Sequence, residues 1–165
     1  MTALENKTGE KSMQVLFMEI HRHHVGRCLA QLSRYGIHPS QMPFIMILHK
    51  NNGCSQKEIA ERLEIKPPTV NVSIQRLEKS GFVCRRRDEN DQRMMRVYLT
   101  ESGKKMVDEL MADARMIEKA MFAGFSEEEL STLRQFFNRI LDNIDSMPGD
   151  IIKECKFMRR EGLDE

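Results

Sequence analysis

Apolar residues recur at helical spacing over the first third of the chain. From Ser12 to about Ser33 they fall on one side of a helix, which predicts a long amphipathic helix that Tyr35-Gly36 ends. A second helix is predicted from near Ser40, and Asn51-Asn52-Gly53 stops it. Both segments are too long and too regular to be loops, so the chain begins as a helical protein.

Two local signals then predict a pair of short helices joined by a tight turn. Ser55 and Glu58 have the spacing of a capping box, in which each side chain satisfies a free backbone N–H, and the helix runs to about Leu63. Proline is tolerated in a first helical turn and nowhere deeper, so Pro67-Pro68 must open a new helix, which Gly81 ends. The arrangement predicts a helix-turn-helix.

The second of these helices divides into two faces. Val70, Ile74 and Leu77 lie four and three residues apart on one buried stripe. The other face carries polar residues and one valine; its members are Thr69, Val72, Gln75 and Arg76, flanked by Asn71 and Ser73. Helices that read DNA fit a major groove about 12 Å wide and contact base edges with such side chains. Gln75 can bond an adenine edge, Arg76 a guanine edge or a phosphate, and Val72 a thymine methyl.

Side-chain alternation follows and predicts a hairpin. Two short strands, 82–87 and 94–100, enclose a turn around Asp88–Asp91. Arg93 at this tip can enter the narrow, electronegative minor groove, and Asp91 can hold it extended by a charge-assisted bond. Four further arginines are predicted to meet phosphates near the insertion point: Arg85, Arg86, Arg87 and Arg96.

The C-terminal part returns to helical spacing. Thr100 is a good N-cap for a helix, and Ser126 with Glu129 forms a second capping box before another helix, which Met147-Pro148-Gly149 breaks. A winged helix of ~60 residues cannot cover three long amphipathic helices, so their stripes are expected to pack on one another and on a second copy. Packing within one chain is the alternative for these stripes.

The fold class predicted is mainly α with a small β-hairpin wing, a winged helix-turn-helix with N- and C-terminal dimerisation helices. The expected divisions are a disordered N-terminal arm at 1–11, a dimerisation helix at 12–35, a DNA-binding domain at 36–100, dimerisation helices at 101–146 and a tail at 147–165. The candidate DNA-binding residues are Ser55, Gln56, Pro68, Thr69, Asn71, Val72, Ser73, Gln75, Arg76, Arg85, Arg86, Arg87, Asp91, Arg93 and Arg96.

Composition narrows the class without deciding the function. The chain has 165 residues, with 40% hydrophobic and 31% charged residues, which suits one globular domain with helical arms. No apolar run is long enough for a membrane span and the N-terminus lacks the core of a signal peptide, so we expect no membrane partner and a cytoplasmic protein. A net charge of +1 gives no information about DNA, because only local clustering of charge matters.

The residues of the hairpin resemble a known family. The run GFVCRRRDENDQRMMRVYLTESG is similar to the wing of the MarR family of bacterial regulators, with paired arginines, an Asp-x-Arg tip and a Leu-Thr-x-x-Gly exit. The run CSQKEIAERLEIKPPTVNVSIQRLEKSGF resembles that family's helix-turn-helix. The resemblance implies a homodimeric repressor that binds double-stranded DNA and often releases the DNA when a small ligand or an oxidant arrives. It places Val72 where many relatives have a basic or polar residue.

The cysteines, histidines and methionines offer other candidate chemistry. The four cysteines (Cys28, Cys54, Cys84 and Cys155) form no CxxC pair and are expected to be reduced thiols. His24 with Cys28, or Glu19 with His23, has a spacing that could grip a metal, beside His21, but no further ligands can be named. The thirteen methionines can line an effector pocket or simply fill the core.

The rival functions belong to two other classes. A winged-helix module for protein–protein contacts would use the same fold without specific DNA binding, and its charged hairpin would be an ordinary solvated turn. An enzyme is disfavoured because the sequence has no GxSxG elbow, no GxxxxGK[ST] loop and no HExxH pair. No catalytic activity and no cofactor are expected.

Overall fold

The computed structural model describes residues 10–148, and the outer parts of the expected arm and tail, with Cys155, lie outside the described residues. Ten elements follow one another within these described residues. They are α1 (Met13–Arg34), a short 3-10 turn (Pro39–Gln41), α2 (Met42–Lys50), β1 (Cys54–Ser55), α3 (Gln56–Leu63), α4 (Pro67–Lys79), β2 (Val83–Arg87), β3 (Met95–Leu99), α5 (Glu101–Met121) and α6 (Glu127–Asp145).

The predicted helix ends are confirmed by their hydrogen bonds. The Glu58 N–H donates to Ser55 Oγ over 3.2 Å, and the Ser55 N–H donates to Glu58 Oε2 over 2.6 Å, which completes the capping box at the start of α3. Pro67 opens α4. At the end of α4, the Phe82 N–H donates to the Leu77 carbonyl and the Gly81 N–H donates to the Glu78 carbonyl. Gly81 has a φ of 75°, a left-handed conformation that favours glycine. These signals fix α3 and α4 as separate helices with a tight turn between them.

The sheet has one strand more than the sequence predicted. The hairpin of β2 and β3 is confirmed, with Val83 opposite Leu99 and Arg87 opposite Met95, but β1 pairs antiparallel with the other edge of β3, giving the order β1-β3-β2. A two-residue strand shows no alternation pattern, so the sequence could not reveal it. It matters because β1 ties the wing to the beginning of α3.

One core lies under the helix-turn-helix and the sheet. Its fully buried side chains come from α2, α3, α4, both long strands and the first half of α5; the largest are Ile45, Leu48, Ile59, Ile74, Leu77, Val70, Val83, Val97 and Val107. The predicted stripe of α4 is therefore confirmed. Burial of these apolar side chains is the main term that holds α4 in a fixed position against the sheet.

The long helices behave differently from the core. α1 packs on α5, where Arg34 Nη1 lies 3.5 Å from Asp113 Oδ2, but neither α1 nor α6 contains a buried residue. The α5 stripe divides, because Leu110 is buried whereas Met121 is exposed. Among residues 10–148 no helix is both long and apolar enough to cross a membrane. The apolar face of α6 stays open in the single chain, and its packing on a second copy stays a prediction.

Candidate nucleic-acid interface

The outward face of α4 presents several exposed side chains that have no partner among residues 10–148. Thr69, Gln75 and Arg76 are exposed, and within residues 10–148 their side chains make no hydrogen bond or ion pair. Val72 is 46% exposed, beside a stripe whose members are completely buried. Leaving an apolar side chain in water on a helix with a buried stripe of its own brings no stability, so this position is available for an external contact.

The start of α3 has the predicted capping box, and this box determines where Ser55 lies. Ser55 is buried, and its hydroxyl accepts the Glu58 N–H. It therefore belongs to the helix start and to β1, and the inclusion of Ser55 among the surface contacts is corrected. Gln56 is half-buried at the first position of α3, and Pro68 is exposed at the start of α4.

The wing tip is a tight turn organised by two carboxylates. Asp88 Oδ1 accepts the backbone N–H groups of Asn90 over 2.8 Å and Asp91 over 3.0 Å. Asp91 Oδ1 accepts the backbone N–H of Arg93 over 3.0 Å, whereas the expected bond to the Arg93 guanidinium is not made. The reason is that an aspartate in a turn reaches the backbone two residues further on more easily than a long side chain. Arg93 is consequently exposed, with no side-chain partner in the described chain.

The wing arginines do not share one face. Arg85 lies opposite Val97 and Arg87 opposite Met95, while Arg86 lies opposite Arg96. Because successive side chains of a strand point to opposite faces, Arg85 and Arg87 lie on the face that carries core residues, and Arg86 and Arg96 on the reverse. The expectation that all four surround one insertion point is corrected.

Arg96 is occupied within the protein. Its Nε pairs with Asp88 Oδ2, its Nη1 donates to the Gly53 carbonyl over 2.9 Å, and Glu58 Oε2 lies 3.6 Å from Nη1. The Arg96 bond, with the two backbone N–H groups, lowers the pKa of Asp88 to about 2. The Ser55 bonds lower the pKa of Glu58. Arg96 therefore joins the base of the wing to the start of α3, and it is not a free phosphate ligand.

Arg86 lies on the same face as Arg96 but remains exposed. Its guanidinium carbon is 5.5 Å from the centre of the Tyr98 ring, a cation–π distance that leaves the N–H groups outward. The Tyr98 ring in turn covers Gly53, where an added Cβ would lie 2.8 Å from Tyr98 Cε1. The stack holds Arg86 at the edge of the wing.

The cysteines and histidines of residues 10–148 are candidate thiol or metal sites in the sequence, and the structure gives their surroundings. Cys28, Cys54 and Cys84 are free thiols. Burial raises the pKa of Cys28 and of Cys54, which is the opposite of what an activated thiol needs. Cys28 Sγ lies 3.6 Å from His24 Nε2, but the part of the chain that the structure describes has no group of three residues able to hold a metal ion.

Two helices joined by a tight turn, with an exposed polar face on the second and an antiparallel wing beside it, define the winged helix-turn-helix class. The MarR family model matches residues 37–95, which contain both helices, β1 and β2 and reach the first residue of β3. The chain belongs to the MarR family of transcription regulators.

Related proteins and structures agree with this assignment. The chain is 32% identical over 111 residues to the uncharacterized HTH-type transcriptional regulator YwoH of Bacillus subtilis, covering 67% of this chain and 80% of YwoH. It is 29% identical to the HTH-type transcriptional repressor MdtR of the same organism, covering 72% of this chain and 74% of MdtR. The crystal structure of YusO from Bacillus subtilis superposes with a TM-score of 0.72 at 24% identity, over 79% of this chain and 92% of YusO. The S. aureus MepR–DNA complex gives a TM-score of 0.72 at 25% identity, over 79% and 98% of the two chains.

Proposed function

We propose that the chain is a homodimeric, sequence-specific repressor that binds a pseudo-palindromic operator in double-stranded DNA and has no catalytic activity. One observation carries the proposal: the unpartnered face of α4 and the free arginines of the wing flank a direct contact between the two elements, in which Arg85 Nη2 bonds Asn71 Oδ1 over 3.2 Å. The two surfaces are therefore held together as one unit.

The face of α4 supplies the contacts to base edges. Gln75 has the donor and acceptor needed for an adenine edge, and Arg76 the fork for guanine O6 and N7. The exposed Val72 fits against a thymine methyl. Thr69 and Ser73 serve bases or phosphates, with Gln56 and Pro68 at the margin of the surface.

The wing supplies a minor-groove contact and phosphate contacts. Among residues 10–148 the Arg93 side chain has no partner to give up, so insertion costs only part of its hydration, which the negative potential of a narrow groove offsets. Arg86 and Arg87 are exposed next to it and are suited to phosphates. The similarity to MepR, whose structure was determined with DNA, supports this docking mode.

A dimer is proposed because α1 and α6 leave apolar side chains exposed. The α6 face consists of Phe136, Phe137, Ile140, Leu141 and Ile144. A contiguous patch of this kind on a small protein marks an interaction surface. In a two-fold dimer the two α4 helices would meet half-sites about one turn of DNA apart, roughly 34 Å.

The proposed regulation is repression of transcription, which an effector relieves by releasing the protein from DNA. The relative MdtR is named a repressor, which supports that sign of regulation. An effector, either a small ligand or an oxidant, would release DNA by stabilising a dimer in which the two α4 helices have another separation. The effector shifts the equilibrium only to the extent that it binds or modifies that form in preference to the DNA-bound form. A protein that acts on the genome in this way would work in the cytoplasm.

The test is selection of bound duplexes from a random library, followed by titration of the selected duplex at rising salt. A two-fold symmetric motif is expected, with affinity that falls steeply as salt rises because bound counterions are released. Affinity independent of salt, or no motif, would favour the alternative, a winged-helix module for protein–protein contacts.

A further inference from the structure

A half-buried arginine of the wing is bonded to Asn71, which flanks the outward face of α4. Arg85 Nη2 donates to Asn71 Oδ1 over 3.2 Å, and Arg85 Nε lies 3.4 Å from Glu78 Oε2. The Arg85 side chain is only 23% exposed, and its Nε makes no hydrogen bond within the described residues. The Glu78 carboxylate therefore attracts the Nε side of the Arg85 guanidinium by charge, while Nη2 at the other end bonds Asn71.

The chemistry of the guanidinium decides which way the Asn71 amide faces. Arginine has five N–H donors and no acceptor, so only the oxygen of an amide can face it. Asn71 must turn Oδ1 toward the wing, and its NH₂ group then points away from Arg85. Without this bond the terminal torsion of asparagine is broad and nearly two-fold, so either end of the amide could face outward.

We infer that Arg85 is a positioning residue that makes Asn71 a hydrogen-bond donor toward DNA, and that Asn71 consequently selects a guanine or thymine in the operator. Guanine O6 and N7 and thymine O4 are acceptors in the major groove. Adenine has one acceptor, N7, beside an amino donor that would face the Asn71 NH₂ group, and the two-bond pairing of asparagine with adenine needs the amide oxygen as well. Cytosine offers only its amino donor and is disfavoured. This inference rests on the proposed function, because it assigns one base preference within it.

Arg87 provides a matched comparison on the same strand face. It is two residues from Arg85, exposed, and without a hydrogen bond or ion pair in the described part of the chain. A phosphate ligand should look like Arg87, and a positioning residue like Arg85. The two arginines should accordingly affect DNA binding in different ways.

The experiment measures dissociation constants of the selected operator and its single-base variants at several salt concentrations. Wild type is compared with Asn71→Ala, Arg85→Met and Arg87→Met. Asn71→Ala should identify the base pair that Asn71 reads. Arg85→Met should lower the preference for guanine or thymine over adenine at that same pair by about three- to ten-fold, the range of one hydrogen bond. The salt slope should stay as in wild type.

Arg87→Met should instead weaken binding to all sequences alike and reduce the salt slope by about two for a dimer, one phosphate for each subunit. The double variant Asn71→Ala/Arg85→Met should discriminate no worse than Asn71→Ala alone, since both act through one contact.

Two results would overturn the inference. One is an Arg85→Met protein whose salt slope falls as in Arg87→Met while its base preference is kept, because Arg85 would then be a phosphate ligand. The other is an Asn71→Ala protein with every base preference intact. If Arg85→Met does not fold, Glu78→Gln replaces it: this exposed change releases Arg85 and should lower the same preference, and an unchanged preference counts against the inference. Failure of the proposed function is a separate outcome, seen as absence of any selected motif with wild type.

Discussion

Arg93 and Arg96 lie three residues apart on the wing, but only the Arg96 side chain is bonded within the described part of the protein. The Arg96 guanidinium is bonded to Asp88 and to the Gly53 carbonyl, whereas Arg93 has no side-chain partner among the described residues. A charged group already satisfied within the protein gains little from a phosphate, because the old bonds must be given up. DNA contacts are therefore assigned to the unpaired arginines of the wing, and the paired ones are assigned to its geometry.

Replacing Arg93 should weaken DNA binding without affecting the fold. Arg93→Ala removes a charged contact worth about 1.5–3 kcal/mol per subunit, and no intramolecular bond of its side chain is lost. Gel-shift titration should show the loss while thermal unfolding stays as in wild type. Gln92→Ala, at the neighbouring tip position, is the control and should bind normally. Equal affinities for Arg93→Ala and wild type would remove the wing tip from the mechanism.

Asp88 should make the wing sensitive to acid. Its pKa is about 2 in the folded protein against an ordinary value of 3.8, so the stability it contributes is complete above about pH 4 and is lost as the pH falls toward 2. Asp88→Asn keeps the turn oxygen but loses the Arg96 ion pair. The melting temperature of the variant should be lower than that of wild type at pH 5–7, and the gap should close between pH 4 and 2.

Circular dichroism melts at several pH values test this, with Glu89→Gln as the neighbouring control. Glu58, whose pKa is also lowered, should leave a residual slope in the variant. A gap of constant size down to pH 2 would show that the Asp88–Arg96 pair does not stabilise the fold.

At the scale of the elements, α5 meets the wing through a glycine. A Cβ at Gly103 would lie 2.0 Å from the Phe82 carbonyl oxygen, whereas a Cβ at Gly26 in α1 would meet nothing within 4 Å. Gly103→Ala should destabilise the protein by about 1–3 kcal/mol, because backbone must move to admit the methyl group. Gly26→Ala should stabilise it by roughly 0.5–1 kcal/mol, because alanine loses less freedom in a helix. Urea unfolding measures both, and a loss at Gly26 would indicate a second chain against that position.

The helices and the hairpin could be predicted from the sequence because their signals are local, whereas the two-residue strand β1 could not. Each helix end is fixed by residues close to it in the sequence: α3 begins at Ser55 with Glu58, α4 begins at Pro67-Pro68, and α4 ends before Gly81. The alternation of the wing arginines onto two faces was also present in the sequence, as a period of two, but proximity in the chain suggested a common target. Local patterns therefore predicted the helices, the hairpin and the exposed face of α4.

What the sequence could not give are contacts between distant positions. Asn71 and Arg85 are 14 residues apart, and Gly53 and Arg96 are 43 apart. Each contact requires the helix-turn-helix to be already docked on the sheet, so no spacing rule reveals it. For that reason the sequence assigned Arg85 and Arg96 to phosphates by their charge alone.

At the scale of the whole molecule, the buried core with α4 and the wing has a different role from the exposed helices α1 and α6. The core holds α4 and the wing in one piece, while α1 and α6 contain no buried residue and α5 is buried only in its first half. Apolar faces left open by a fold are covered most economically by the same face of a second copy, which a two-fold axis makes self-complementary. The separation of the two α4 helices would then be set by how α1, α5 and α6 pack in the dimer.

Charging the α6 face should therefore break the dimer and with it tight DNA binding. Phe137 is 41% exposed in the single chain, and Phe137→Asp would bury two carboxylates at the interface, raising the dimer dissociation constant about 100-fold or more. Sedimentation measures the shift to monomer. Gln135→Asp adds the same charge on the opposite side of α6 and should stay dimeric. DNA affinity should fall only in the Phe137 variant, because separate subunits lose the effective concentration that links two half-sites. A dimer of unchanged affinity in Phe137→Asp would mean that the subunits associate through another surface.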